Sequence, residues 1–264
     1  MRIITNMNHR LAKTANSSTE DSVLTNAMLY NCFYVLKYIY SNFPQYQGFQ
    51  VLNKDAVYER LKAFKSSYAD GFNYVASLDI QKCFDSIDCQ KLYEILEQLL
   101  SDYALSEFII HKYTVTQYQH VRKQFHHHNI RYVTQNNLLH FHDVSNQLSD
   151  YYRHCILSDG VHYPTASVAT LLKLLKQHLF NHRVSYNKQI YRSTLGLPQG
   201  SVLSSLLCNI YYGTLESKAF LNDSHNVLRF TTVMRQVDDY LIISKDRESI
   251  CRCTVIPHRY LKFS

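Results

Sequence analysis

Asp238 and Asp239 stand side by side in an apolar, β-rich stretch, Val237-Asp-Asp-Tyr240 followed by Leu-Ile-Ile243. Adjacent carboxylates repel one another, and burying them unpaired costs several kcal/mol. At the tip of an apolar hairpin such a pair points to a divalent cation. A third carboxylate, Asp79, closes the strand-like run Tyr74-Val-Ala-Ser-Leu-Asp79. If the two strands pair, the three carboxylates meet. That is enough for Mg²⁺, which takes hard oxygen ligands and keeps several waters. Nucleotidyl transfer needs two such ions roughly 3.5–4 Å apart, one activating a 3′ hydroxyl and one holding a triphosphate. Two aspartates in a turn are by themselves ordinary turn chemistry. Asp79, and the loop described next, tip the balance toward metal.

Glycine is scarce, at 6 residues, so Gly196-Leu-Pro198-Gln199-Gly200 stands out. It reads as a sharp turn feeding a helix, where backbone N–H groups and the Gln199 amide can face a bound nucleotide. Phe84 lies five residues after Asp79. A ring there can abut the sugar C2′ and exclude a 2′ hydroxyl, with core packing as the plainer alternative. Ile80, Phe84, Gln199 and Gly200 are thus candidate nucleotide contacts. Asp85 and Asp88 suit a turn and a helix cap better than a metal. The run His126-His127-His128 resembles a metal tract only superficially, because consecutive side chains point apart. Arg122, Lys123 and Arg131 suit nucleic-acid backbone, with a solvated basic face equally weighted.

These residues need elements to position them. The 264 residues can hold one or two domains, and 28 Lys and Arg against 21 Asp and Glu give a net charge of +7, which favours polyanionic partners. Seven scattered cysteines without a C-x-x-C pair read as free thiols in a reducing compartment. No apolar run reaches the roughly 18–20 residues that span a bilayer, so no membrane is expected. Apolar spacing predicts helices over 22–40, 55–65, from about 89, over 167–181, and from 203 to about 219. Strands are expected over 74–80, 108–115, 229–237 and 240–244. Asp21 could cap the first helix. Residues 105–165 are the least readable, and 251–264 show no period.

Taken in order, the three site elements resemble a reverse-transcriptase palm, and more specifically the telomerase reverse transcriptases. Leu78-Asp79 through Ile87 is similar to that family's motif A, Gly196 through Gly213 to motif B′, and Arg235-Gln-Val-Asp238-Asp239-Tyr-Leu241 to motif C. Arg2-Ile-Ile-Thr-Asn6 resembles motif 2, which implies that Arg2 approaches the incoming triphosphate. His120 through Phe125 resembles motif 3, which implies that Arg122 and Lys123 handle nucleic acid. The gap from Asp79 to Gln199 (199 − 79 = 120 residues) and Gln236 before the aspartate pair both favour this family over retroviral enzymes.

The resemblance implies an α+β fold: a palm with an antiparallel sheet, partial fingers, a helical insertion and no thumb. Residues 1–70 would be part of the fingers, 71–100 palm motif A, and 101–185 the insertion in the fingers with the motif 3 region. Residues 186–250 would be palm motifs B′ and C, and 251–264 an unassigned tail. Asp79, Asp238 and Asp239 would be catalytic and hold two Mg²⁺ ions. The implied reaction is RNA-templated addition of deoxynucleoside triphosphates to a telomeric single-stranded DNA primer, with a telomerase RNA template, in the nucleus at chromosome ends. Two alternatives stay open: a retroelement reverse transcriptase, and a catalytically inactive chain that only binds nucleic acid or a partner.

Overall fold

A computed structural model describes residues 11–13, 26–68, 73–119, 124–152, 154–161, 163–186, 189–193, 195–221 and 227–260. Arg2, Asp21, Arg122 and Lys123 lie outside them. In chain order, β1 (Leu11–Lys13) is followed by α1 (Asn26–Ser41), α2 (Lys54–Ser67), β2 (Tyr74–Asp79) and α3 (Cys89–Ser101). Next come β3 (Glu107–Gln119), β4 (Gln124–Gln135), α4 (Phe141–Tyr151), β5 (Cys155–Asp159) and β6 (Thr165–Ser167). Then follow α5 (Val168–Phe180), β7 (Arg183–Tyr186), β8 (Gln189–Ser193), α6 (Ser204–Leu221), β9 (Thr231–Gln236), β10 (Asp239–Ser244) and α7 (Arg247–Tyr260).

The sheet that carries the aspartates has order β2-β10-β9 and is antiparallel throughout. Its residues Val233, Tyr240 and Ile242 share one core with helices that carry apolar stripes. α3 buries Leu92, Ile95, Leu96 and Leu99 at helical spacing, and α5 buries Leu171, Leu175 and Leu179. α6 is apolar nearly all round (Leu206, Leu207, Cys208, Ile210, Tyr211, Tyr212 and Leu215 are buried), as a helix at the centre of a core must be. α3 starts where expected, because the Asp88 side chain accepts from the backbone N–H groups of Gln90 and Lys91.

Two expectations are corrected. Residues 101–185, expected as a helical insertion, are not mainly helical; among the described residues they are built on a long antiparallel ribbon, β3 with β4, extended by β5 and β6, with α4 and α5 as the longer helices. β3 is rich in Ile, Val, Thr and Tyr, which favour strand. It also buries both faces: Phe108 and Ile110 in the main core, Tyr113 and Val115 on the other face against α4 residues Val144 and Leu148. A strand buried on alternate faces along its length shows no clean period in sequence. The tail is the second correction. Residues from Arg247 to Tyr260 form α7, which brings Ile250 and Cys253 into the core.

Candidate active site

The β9–β10 hairpin turns through Val237 and Asp238, with Gln236 paired to Asp239. Val237 has φ 60°, a left-handed conformation that a β-branched residue adopts only when its surroundings hold it there. On the other side, Asp239 lies directly opposite Asp79 of β2, and the Ile80 N–H donates to the Asp238 carbonyl at 3.0 Å. Each of the three aspartates offers a carboxylate oxygen within 4.8 Å of the others. Like charges placed opposite in a sheet destabilise it. Among the described residues, no ion pair neutralises them. An all-carboxylate oxygen set, partly open to solvent, suits a hard divalent cation such as Mg²⁺ and offers no softer nitrogen or sulfur donor.

The carboxylates open into a cleft of about 520 Å³. Asp79, Ile80, Phe84, Gln199, Gly200 and Asp238, all expected from the sequence, line it together. Asp239 is not among the lining residues, although its carboxylate belongs to the acidic cluster. The opposite wall is the 196–200 turn and the start of α6, with Ser204 and Ser205. The positive dipole end of a helix favours anions there.

Gly196 has φ 59°, and a Cβ on it would sit 2.2 Å from the Phe84 carbonyl oxygen and 2.5 Å from Asp85 Cα. Only glycine lets the turn dock on the segment after β2. The Leu197 N–H then donates to the Phe84 carbonyl at 2.9 Å, which joins the two halves of the cleft. From behind, Ser204 Oγ donates to the Pro198 carbonyl and Ser201 Oγ lies 3.2 Å from His178 Nε2. His178 is fully buried, and burial, with a smaller contribution from His182, lowers its pKa to about 4.

A charged network beneath the hairpin was not expected. Arg235 is wholly buried and forms an ion pair with Glu216 of α6, whose side chain is equally enclosed. Its guanidinium also donates to Asn209 Oδ1 at 2.8 Å and to the Val237 carbonyl at 3.2 Å. Glu216 accepts in addition from the Tyr240 hydroxyl and the Phe49 N–H. Burial is the largest influence and favours the uncharged guanidine, but Glu216, Tyr240 and Cys208 together outweigh it and hold the Arg235 pKa above its ordinary value. Burial and the same carboxylate push the Tyr240 hydroxyl well above its usual range. The network ties the aspartate turn to α6. Lys82, Ser201, Ser204 and Ser205 also line the cleft without having been singled out. The basic type of Lys82, three residues after Asp79, was the available signal.

Of the basic segment, Arg131 is described; its guanidinium donates to the Tyr34 hydroxyl at 2.9 Å and stacks on that ring. His126 and His128 share one face of β4, while His127 bonds Thr116.

A three-stranded antiparallel sheet with paired aspartates at its hairpin tip, roofed by a glycine-bounded turn and a buried helix, defines a reverse-transcriptase palm. Comparison with known proteins narrows the class. No family model matches the chain. It is 28% identical over 277 residues to the telomerase reverse transcriptase of Euplotes aediculatus, spanning 88% of this chain and 25% of that protein. It is 24% identical over 252 residues to that of Canis lupus familiaris, spanning 92% of this chain and 22% of that protein. The chain thus covers about a quarter or less of these relatives' length. A structure of Candida albicans telomerase, in complex with a fragment of telomeric RNA, superposes with a TM-score of 0.60 at 18% identity over 86% of this chain and 31% of that one. Apo telomerase from Candida tropicalis gives 0.57 at 15% identity, over 86% and 32%. The chain is similar to telomerase reverse transcriptases over most of its own length, and corresponds in extent to part of one. No helix among the described residues is long and apolar enough to cross a membrane.

Proposed function

We propose that this chain carries the nucleotidyl-transfer centre of a telomerase catalytic subunit, which adds deoxynucleotides to telomeric DNA 3′ ends on an RNA template. The observation that carries the proposal is the acidic cluster: three carboxylates within 4.8 Å, at the mouth of a cleft whose far wall is a helix N-terminus. Asp79, Asp238 and Asp239 would hold two Mg²⁺ ions. The chemistry such ions would supply there is activation of a primer 3′ hydroxyl and neutralisation of a triphosphate. The turn at Gln199 and Gly200, with the first N–H groups of α6, orients the triphosphate oxygens. Phe84 and Ile80 form the floor against the sugar, and the Phe84 ring excludes a 2′ hydroxyl. Arg2 contacts the triphosphate, and Arg122 and Lys123 contact nucleic-acid backbone. The partners are a telomerase RNA and a single-stranded telomeric primer, and the place of action is the nucleus, at chromosome ends.

The test is Mn²⁺ binding followed by electron paramagnetic resonance, with a deoxynucleoside triphosphate present. The proposal expects saturable binding of two ions per chain, lost in Asp79→Asn/Asp238→Asn. Equal binding by wild type and variant would overturn the assignment of these carboxylates.

A further inference from the structure

Cys83 and Cys208 are left over from this account. Their Sγ atoms lie 3.4 Å apart, and both thiols are free. Both side chains are buried, Cys83 at 4% and Cys208 at 0% exposure, but Cys83 is the one among the residues lining the cleft. Their approach is held at a second point. The hydroxyl of Tyr212, one helical turn beyond Cys208, donates to the Cys83 carbonyl at 2.9 Å. The backbone of Cys83 is thus tethered to the same helix face that presents the partner sulfur.

We propose that Cys83 and Cys208 form an oxidative modification site, a dithiol that hydroperoxides convert into a disulfide bridging the segment after β2 to α6. A disulfide needs its sulfurs about 2.05 Å apart, so the pair must close by roughly 1.4 Å. Side-chain torsions supply movements of this size when the backbones are already anchored. The hydrogen bond with Cys83 and burial both push the Cys208 thiol up, so it stays protonated. Oxidation begins at Cys83, because it borders the cleft and Cys208 does not. The Cys83 sulfur attacks the peroxide; an S–O bond forms, the O–O bond breaks, and an alcohol or water leaves. The sulfur loses two electrons to the peroxide and becomes a sulfenic acid. Cys208 then attacks that sulfur: the S–S bond forms, the S–O bond breaks, and hydroxide leaves as water with the Cys208 proton. Enforced proximity compensates for the poor nucleophilicity of the buried thiol. Overall, two thiols and one hydroperoxide give a disulfide, an alcohol and water.

Closure draws Cys83 toward α6 and moves its neighbour Phe84 in the cleft wall. A loss of nucleotide binding on oxidation rests on the functional reading above; the disulfide itself does not. The folded wild-type chain is exposed to a few equivalents of hydrogen peroxide, blocked with N-ethylmaleimide, digested without reduction and analysed by mass spectrometry. The expected product is a linked pair of peptides carrying Cys83 and Cys208, two hydrogens lighter than their sum and released by dithiothreitol. Exposed Cys251 reports ordinary thiol oxidation in the same digest. In Cys208→Ser, Cys83 should instead be trapped as a dimedone adduct. The proposal is overturned if Cys83 ends as sulfinic or sulfonic acid with no linked peptide, stays unmodified while Cys251 is oxidised, or links to another cysteine. The wild-type readout stands whether or not the variant folds.

Discussion

Replacing Arg235 with methionine keeps most of the side-chain volume and removes the guanidinium. In the native chain that buried group pairs with buried Glu216 and donates to Asn209 and to the Val237 carbonyl. After the change, Glu216 is still buried and still accepts from Tyr240 and Phe49, but its charge has lost its partner. Removing one member of a buried ion pair costs about 3–5 kcal/mol. Against a total of roughly 5–15 kcal/mol for a domain, that moves the urea midpoint far enough to read by circular dichroism. The second substitution distinguishes charge from packing. Glu216→Gln in the Arg235→Met background removes the stranded carboxylate, so the double variant should regain about 2 kcal/mol relative to the single one. Because Val237 precedes Asp238, divalent-ion affinity should weaken in the single variant as well. An Arg235→Met chain within about 1 kcal/mol of wild type, or a double variant no more stable than the single, would refute the reasoning.

Two glycines separate steric from conformational cost. Gly196→Ala drives a Cβ into the Phe84 backbone and should cost about 3 kcal/mol or more. Gly200→Ala meets only its φ of 94°, with open space around it, and should cost about 1–2 kcal/mol; similar urea midpoints for the two would contradict the docked turn. His178 sets a pH dependence. The folded imidazole stays neutral down to about 4, whereas the unfolded one takes a proton near 6.5, so stability falls as pH drops through that window and levels off below it. The imidazole contributes roughly 3 kcal/mol to that fall. His178→Asn should flatten the profile measured by urea melts between pH 7.5 and 4.5; an unchanged slope would remove His178 from the explanation.

The site was legible in the sequence because its chemistry is local. An aspartate pair, a strand-ending aspartate and a turn bounded by glycines each carry their constraint within a few residues. α3 and α5 were legible for the same reason, since Leu92, Ile95, Leu96 and Leu99 repeat at one helix period. What escaped depends on distant partners. Arg235 reads as an exposed cation until Glu216, 19 residues earlier, is packed against it. The ribbon of β3 and β4 was obscured because β3 serves two cores, changing the buried face between Ile110 and His111. α7 contains Pro257, which local rules read as a helix stop, yet Ile250 and Cys253 anchor its earlier turns.

The central claim is that the three aspartates drive divalent-ion-dependent nucleotide addition. Its most direct test is single-nucleotide incorporation on a DNA primer annealed to RNA, comparing wild type with Asp238→Ala in Mg²⁺. The account predicts addition of the template-complementary deoxynucleotide, absent without the metal and reduced about a thousandfold or more by the substitution. Incorporation that survives Asp238→Ala unchanged, or no incorporation by the wild-type chain at any Mg²⁺ or Mn²⁺ concentration, would contradict it.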